Sequence, residues 1–189
     1  MKFIKTSYLA SIKKVGFGLL LALNINPNVK AEGGGDNSLS LSNEIRASGI
    51  VYKVVDGDTL IVNFPASDFA KFAKYNGPKT SGSINEKYKS VRIRIANIDT
   101  PESVHPLPEL NTKRGKEASD FLRSWAAKKP ANVRCFDIGT RNRFICNAII
   151  DDRWDVGYEQ IAAGYSKYIT DFGKNPYFDK EYSEAFRKQ

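Results

Sequence analysis

Apolar residues recur with the period of β-strands through the first half of the chain. Gly49-Ile50-Val51-Tyr52-Lys53-Val54-Val55 is rich in β-branched residues, and Thr59-Leu60-Ile61-Val62 follows it across the turn signal Asp56-Gly57. Residues 89–98 alternate strictly, with Val91, Ile93 and Ile95 on one face and Arg92, Arg94 and Ala96 on the other. Pro101 ends that strand at Asp99-Thr100-Pro101-Glu102. Between the second and third strands, residues 64–90 are less regular. Asp68 to Tyr75 reads as a short helix, and Gly77-Pro78-Lys79-Thr80-Ser81-Gly82 as a loop.

From Thr112 to Ala127 the period becomes helical through Ala118, Phe121, Leu122 and Trp125, and Pro130 stops it. Residues 132–137 and 144–150 predict two more strands. Val156 to Ala163 predicts a helix capped by Gly164, and 179–188 a last helix with Tyr182 and Phe186 one turn apart. No internal repeat is present. Five strands with helices between and after them predict a mainly β, α+β fold, a small barrel rather than a doubly wound sheet.

Residues 1–31 stand apart from this pattern. Lys2, Lys5, Lys13 and Lys14 precede the apolar run Val15–Leu23, Asn24 and Pro27 break it, and Val29-Lys30-Ala31 offers small residues at a cleavage site. The run is about half of the ~20 residues that span a bilayer. We therefore expect a cleavable signal peptide over 1–31, the alternative being an uncleaved anchor, and a secreted or periplasmic protein that keeps no stable membrane anchor after cleavage. No cysteine follows the expected cut, which argues against a lipoprotein. Residues 32–47 are small and polar and predict a flexible leader, with the folded domain over 48–189. In an oxidising compartment Cys135 and Cys146, on two strands separated by a polar turn, either pair across a hairpin or remain two buried thiols.

Composition narrows the chemistry. A length of 189 residues suits one domain. The single histidine, His105, and two cysteines exclude poly-His and four-Cys zinc sites and argue against a Ser/His/Asp hydrolase. The formal charge of +8 falls to +3 once the five lysines of residues 1–31 are set aside, leaving 24 basic against 21 acidic residues. Any surface for an anionic partner must then be local.

Two carboxylate-bearing turns remain, Asp56-Gly57-Asp58-Thr59 and Asp99-Thr100-Pro101-Glu102. Carboxylates this dense repel unless a cation or hydrogen bonds compensate them. Hard oxygen donors without His or Cys select Ca²⁺ or Mg²⁺ over zinc. With Arg94 five residues before Asp99, a cation and a guanidinium facing one gap would suit phosphodiester cleavage. On the residues alone, Asp-Gly-Asp reads equally as a plain turn.

Val54-Val55-Asp56-Gly57-Asp58-Thr59, Arg94, Ile98-Asp99-Thr100-Pro101-Glu102 and Gly115-Lys116-Glu117-Ala118, in this order, resemble the staphylococcal (micrococcal) nuclease family. His105-Pro106, Phe136-Asp137-Ile138-Gly139 and Ala163-Gly164 extend the resemblance from about Ser48 to the C-terminus. It implies an OB-fold barrel of five strands in Greek-key order with about three helices. It also implies a monomeric, Ca²⁺-dependent endonuclease that cuts DNA and/or RNA to leave 3′-phosphates. Carried over, Asp58, Asp99 and the Thr100 carbonyl would hold the metal, with Mg²⁺ or Mn²⁺ as less active substitutes. Glu102 would orient or deprotonate the attacking water, and Arg94 would clamp the phosphate. Glu117 and His105 read as structural.

The chain departs from the family pattern twice. No Tyr-Gly-Arg is present for a second phosphate-binding arginine. Arg143 is the candidate, while an ungapped count back from Gly164 reaches Phe144 instead. The second departure is residues 64–90, an insertion where the family has a short loop. Its Lys71, Lys74, Lys79, Lys87 and Lys89 interleave with Phe69, Phe72, Tyr75 and Tyr88. They form either a stacking strip for a single strand or an amphipathic helix packed on the barrel. The first departure also leaves open a different class, a catalytically impaired OB-fold module that binds nucleic acid.

Overall fold

The computed structural model describes residues 39–189, so the expected signal peptide and the first part of the leader lie outside the described residues. The strands are β1 (Ile45–Asp56), β2 (Thr59–Asn63), β3 (Ile84–Asn85), β4 (Ser90–Ile95), β5 (Ile98–Asp99), β6 (Pro130–Ile138), β7 (Phe144–Ile150), β8 (Trp154–Asp155) and β9 (Lys167–Tyr168). The helices are α1 (Ala66–Ala73), α2 (Lys113–Ala126), α3 (Val156–Ala162) and α4 (Asp179–Arg187).

Strands β4, β2, β1, β6 and β7 pair in that order, antiparallel, and a parallel pairing of β4 with β7 closes the ring. The result is a closed five-stranded mixed barrel of OB type. Closure removes the free edges that an open sheet would present. β3 and β8 extend it at two margins, and β5 pairs with β9 in a separate ribbon. Strand alternation decides what faces inward: Val51, Leu60, Val62, Val91, Ile93, Ile95, Val133 and Ile150 are buried in one core cluster. The same alternation turns Arg92 and Arg94 to the outside of β4.

Among the described residues four α-helices, against about three expected, pack on the barrel, and the additional one is α1 in the 64–90 insertion. Phe69 and Phe72 are buried, with Phe72 lying 4.9 Å from Phe64 and edge-on to Phe144 at 5.2 Å between ring centres. Tyr75 also meets Phe144. These rings are therefore spent on the core, which corrects the stacking-strip alternative, and the amphipathic-helix alternative holds. Tyr88 is the exposed ring of the set, at 61%.

The barrel begins earlier than the composition suggests. β1 starts at Ile45, and Ile45 to Ile50 pair with Cys135 to Pro130 of β6. Ile45 and Ala47 are buried, so residues 45–47 belong to the domain and not to the leader. The polar neighbours Ser42, Asn43, Glu44, Arg46 and Ser48 mask this alternation in the sequence.

Cys135 and Cys146 are directly opposed across β6 and β7, buried, and joined by a disulfide. Closing a loop of 11 residues' separation constrains the unfolded chain by about 3 kcal/mol. Among the described residues, no helix is long and apolar enough to cross a membrane.

Candidate active site

The hairpin turn between β1 and β2 carries Asp56, Gly57 and Asp58 against the segment after β5. A Cβ on Gly57 would lie 2.6 Å from the Thr100 hydroxyl, so only glycine lets the two segments meet. Asp58 is buried at 3% exposure. Its Oδ1 accepts from the Thr59 hydroxyl at 2.8 Å, and its Oδ2 pairs with Nη1 of Arg94. The Thr100 amide and hydroxyl each stand 3.4 Å from the same Oδ2. Nη2 of Arg94 reaches Asp99 Oδ1 at 2.6 Å and the Ile98 carbonyl at 3.0 Å. One guanidinium thus bridges Asp58 and Asp99. Burial opposes its charge, yet these two carboxylates outweigh burial and raise its pKa above the ordinary arginine value.

Asp56 is the second buried carboxylate of the turn. Its Oδ1 accepts from the Ser103 hydroxyl at 2.7 Å, the Ser119 hydroxyl at 2.9 Å and the Gly57 amide at 2.8 Å. The turn, the segment after Glu102 and helix α2 are therefore joined at one atom. Glu102 is fixed through its backbone. Its carbonyl accepts from the Thr112 amide at 2.9 Å, just before α2, and a Cβ on Gly115 would lie 2.2 Å from that carbonyl oxygen. Burial, followed by the nearby Asp56 and Asp58, pushes the Glu102 carboxyl above its usual pKa. Nη1 of Arg141 approaches Glu102 Oε1 at 4.0 Å.

The turn between β6 and β7 brings in Arg143, whose Nη1 donates to the Thr59 hydroxyl at 3.0 Å. Phe144, the other candidate for this position, is fully buried in the core and closes against Ile93 of β4. Burial, then the neighbouring Arg94, lowers the Arg143 pKa below the ordinary arginine value. The Ser83 hydroxyl donates to the Asn142 carbonyl and ties the 64–90 segment to this turn.

These groups surround a cleft of about 450 Å³ lined by the carboxylates of Asp56, Asp58 and Glu102 and the guanidiniums of Arg92, Arg94, Arg141 and Arg143. Asp99 and Thr100 flank it through Arg94 and Asp58. All six residues singled out from the sequence, Asp58, Arg94, Asp99, Thr100, Glu102 and Arg143, thus gather in one place. His105 lines the cleft wall, but its Nδ1 accepts the Leu107 amide at 3.0 Å, a structural contact. Glu117 lies 3.8 Å from Lys113 on the surface of α2. Sequence reading passed over Asp56 as an anchor, Ser103, Ser119, Gln160, Arg92 and Arg141. Of these, Arg92 was signalled by its shared face with Arg94. The others depend on contacts between distant segments.

Among the described residues no cluster of three or more His, Cys, Asp or Glu side chains is arranged for a metal. Asp58 and Asp99 nevertheless converge on a single cationic group, with Thr100 beside Asp58. These are hard oxygen donors, the type that a divalent cation such as Ca²⁺ takes.

A closed OB-type barrel bears a cleft of carboxylates and guanidiniums beside one hairpin turn, and the family match places the chain among nuclease-type proteins. Residues 92–189 match the family model described as staphylococcal nuclease homologue, and the chain belongs to that family. None of the curated proteins matches the chain significantly.

Proposed function

We propose that the protein is a Ca²⁺-dependent endonuclease, secreted or periplasmic, that hydrolyses phosphodiester bonds of DNA and/or RNA and leaves 3′-phosphate ends. The observation that carries this reading is the bridge from Arg94 to Asp58 and Asp99 in the cleft that also holds Glu102 and Arg143. A decayed binding module would have little reason to retain all of these in register, which favours catalysis over the binding-only alternative.

Asp58, Asp99 and the Thr100 carbonyl would hold the cation, which when bound neutralises a nonbridging phosphate oxygen. Arg94 spends its Nη1 and Nη2 on Asp58, Asp99 and Ile98. Of its five N–H donors, that of Nε and one on Nη1 remain for phosphate oxygens. Arg143, held by Thr59, would grip the phosphate from the opposite wall. Glu102 would accept the proton of the attacking water. Its raised pKa brings it nearer neutrality, where a base both stays ionised and accepts a proton readily. The water oxygen would bond to phosphorus as the P–O5′ bond breaks, the 5′-oxygen would leave with a proton taken from solvent, and the phosphate would stay on the 3′ side. The buried disulfide between Cys135 and Cys146 supports an oxidising compartment.

The test is digestion of single-stranded DNA by the purified protein with Ca²⁺ at ~1–10 mM, above the affinity range of weak extracellular sites, or with chelator. Cleavage that vanishes with chelator and leaves 3′-phosphates is the expected outcome. Metal-independent binding with no cleavage under any divalent ion would replace this reading with the binding module.

A further inference from the structure

Arg92 and Arg94 stand two residues apart on β4 and face the same cleft, so their Cα atoms are separated by about 7 Å along the strand. Arg94 is engaged by Asp58 and Asp99. Arg92 is not: among the described residues its side chain makes no hydrogen bond or ion pair, and its Nε is shielded from solvent without a partner. A buried guanidinium nitrogen without an acceptor is costly, and native structures rarely leave one so. An acceptor from a molecule in the cleft, met as the Arg92 side chain turns toward it, would relieve that cost. The chemistry that suits it is an oxyanion, because a guanidinium forks onto phosphate oxygens.

The surroundings narrow the choice further. Ser81, Gly82 and Ser83 of the 64–90 segment wall the cleft at this end, and the Arg92 amide donates to the Ser83 carbonyl at 2.7 Å. Arg141 and Arg143 face it from the β6–β7 turn, and the charges of Arg92 and Arg141 help lower the Arg143 pKa behind burial and Arg94. The spacing of Arg92 from Arg94 is comparable to that of successive phosphates along an extended single strand.

We propose that Arg92, walled by Ser81–Ser83, forms a second phosphate subsite that takes the phosphodiester adjacent to the one clamped at Arg94. The cleft thereby grips a polynucleotide over two successive phosphates and discriminates against substrates with only one. This rests on the nuclease reading above, with Arg94 at the scissile phosphate. It also gives the insertion a role, since the wall of the subsite comes from that segment.

The test compares the unaltered protein with Arg92→Gln, Arg92→Met and Arg92→Lys on two substrates: a single-stranded oligonucleotide of about 20 nucleotides, long enough to fill an extended groove, and a thymidine diester with one phosphodiester bond. Arg92→Met retains the apolar stem in case the Gln variant folds poorly. The ratio of kcat/KM for the longer over the shorter substrate falls about tenfold in the charge-free variants, chiefly through KM, and recovers in Arg92→Lys. Binding of the oligonucleotide without divalent metal, followed against salt, loses about 0.7 from the slope of log Kd on log salt, one phosphate contact for a single strand. An unchanged ratio and slope overturn the proposal, as does an equal loss on both substrates that Arg92→Lys does not restore. If the unaltered protein cleaves neither substrate, the hydrolytic reading fails separately. The salt slope then decides the subsite by itself: a reduced slope supports it and an unchanged one overturns it.

Discussion

Gln160, fully buried on α3, donates from Nε2 to the Gly57 carbonyl at 2.6 Å and to the Ala118 carbonyl at 3.1 Å. One side-chain amide therefore holds the Asp56–Asp58 turn against both α2 and α3, although Gln160 is remote from the cleft in sequence. Replacing it by Leu leaves the buried Gly57 carbonyl unpaired and removes a second bond from the Ala118 carbonyl, which keeps its partner within α2, at a cost of about 2–4 kcal/mol. The expected result is a melting temperature lowered by roughly 5–15 °C, together with weaker nuclease activity because the turn carrying Asp58 loosens. Thermal melting by circular dichroism checks it, and a shift below about 2 °C would show that the turn does not depend on this contact.

Arg94→Ala removes the cation from a nearly inaccessible Asp58 and from Asp99. Loss of one preorganised donor to the transition state is expected to lower kcat by about 10²–10³. Stability should fall by about 3 kcal/mol, because a buried carboxylate loses its partner. Arg94→Lys should recover only a small part of either quantity, since an ammonium cannot fork across two carboxylates and a phosphate together. Steady-state kinetics beside a denaturant titration reads both. Full recovery with lysine would remove the basis for the bridging role.

Asp155 caps α3 by accepting the Tyr158 amide at 2.9 Å and the Tyr182 hydroxyl at 2.6 Å. Burial raises its pKa from 3.8 to about 6. A proton retained only in the folded state favours folding below about pH 4, and that contribution disappears as pH rises through about 6. The difference amounts to about 3 kcal/mol. Asp155→Asn keeps an acceptor for both partners without the charge. It should match the unaltered protein near pH 4 and exceed it in stability by up to about 3 kcal/mol near pH 8. Melting curves at the two pH values test this, and a difference independent of pH would show that Asp155 stays ionised at no cost.

Reduction of the Cys135–Cys146 bridge, or Cys135→Ser with Cys146→Ser, should lower stability by about 3 kcal/mol and the melting temperature by roughly 6–12 °C. Melts with and without dithiothreitol provide the measurement. Equal midpoints would mean that hairpin pairing alone holds β6 to β7.

Much of the fold was legible because period-2 alternation is strong where one strand face is buried. Val91, Ile93 and Ile95 pointed inward, which turned Arg92 and Arg94 outward toward a common surface. The start of β1 was hidden because Ile45 and Ala47 alternate with polar residues inside a Ser-rich stretch. The identity of the arginine on the β6–β7 turn was ambiguous for a geometric reason. Counting back from Gly164 crosses the tight turn at Asp151-Asp152, both at positive φ, and a turn can change length where a paired strand cannot. In the structure Phe144 is buried in the core, whereas Arg143 lines the cleft and donates to the Thr59 hydroxyl. Ser103, Ser119 and Gln160 carried no local signal, since each matters only through segments that folding brings together.

The parallel pairing of β4 with β7 joins strands about 50 residues apart in sequence, and Arg94 and Arg143 stand on its two sides. Its loop-closure entropy, like that of the still longer-range pairing of β1 with β6, must be met before the ring closes. Neither arginine can face the other until that seam shuts. Under the nuclease reading, a chain whose ring has not yet closed thus has no grip on nucleic acid, and its cutting power is latent until the ring is complete.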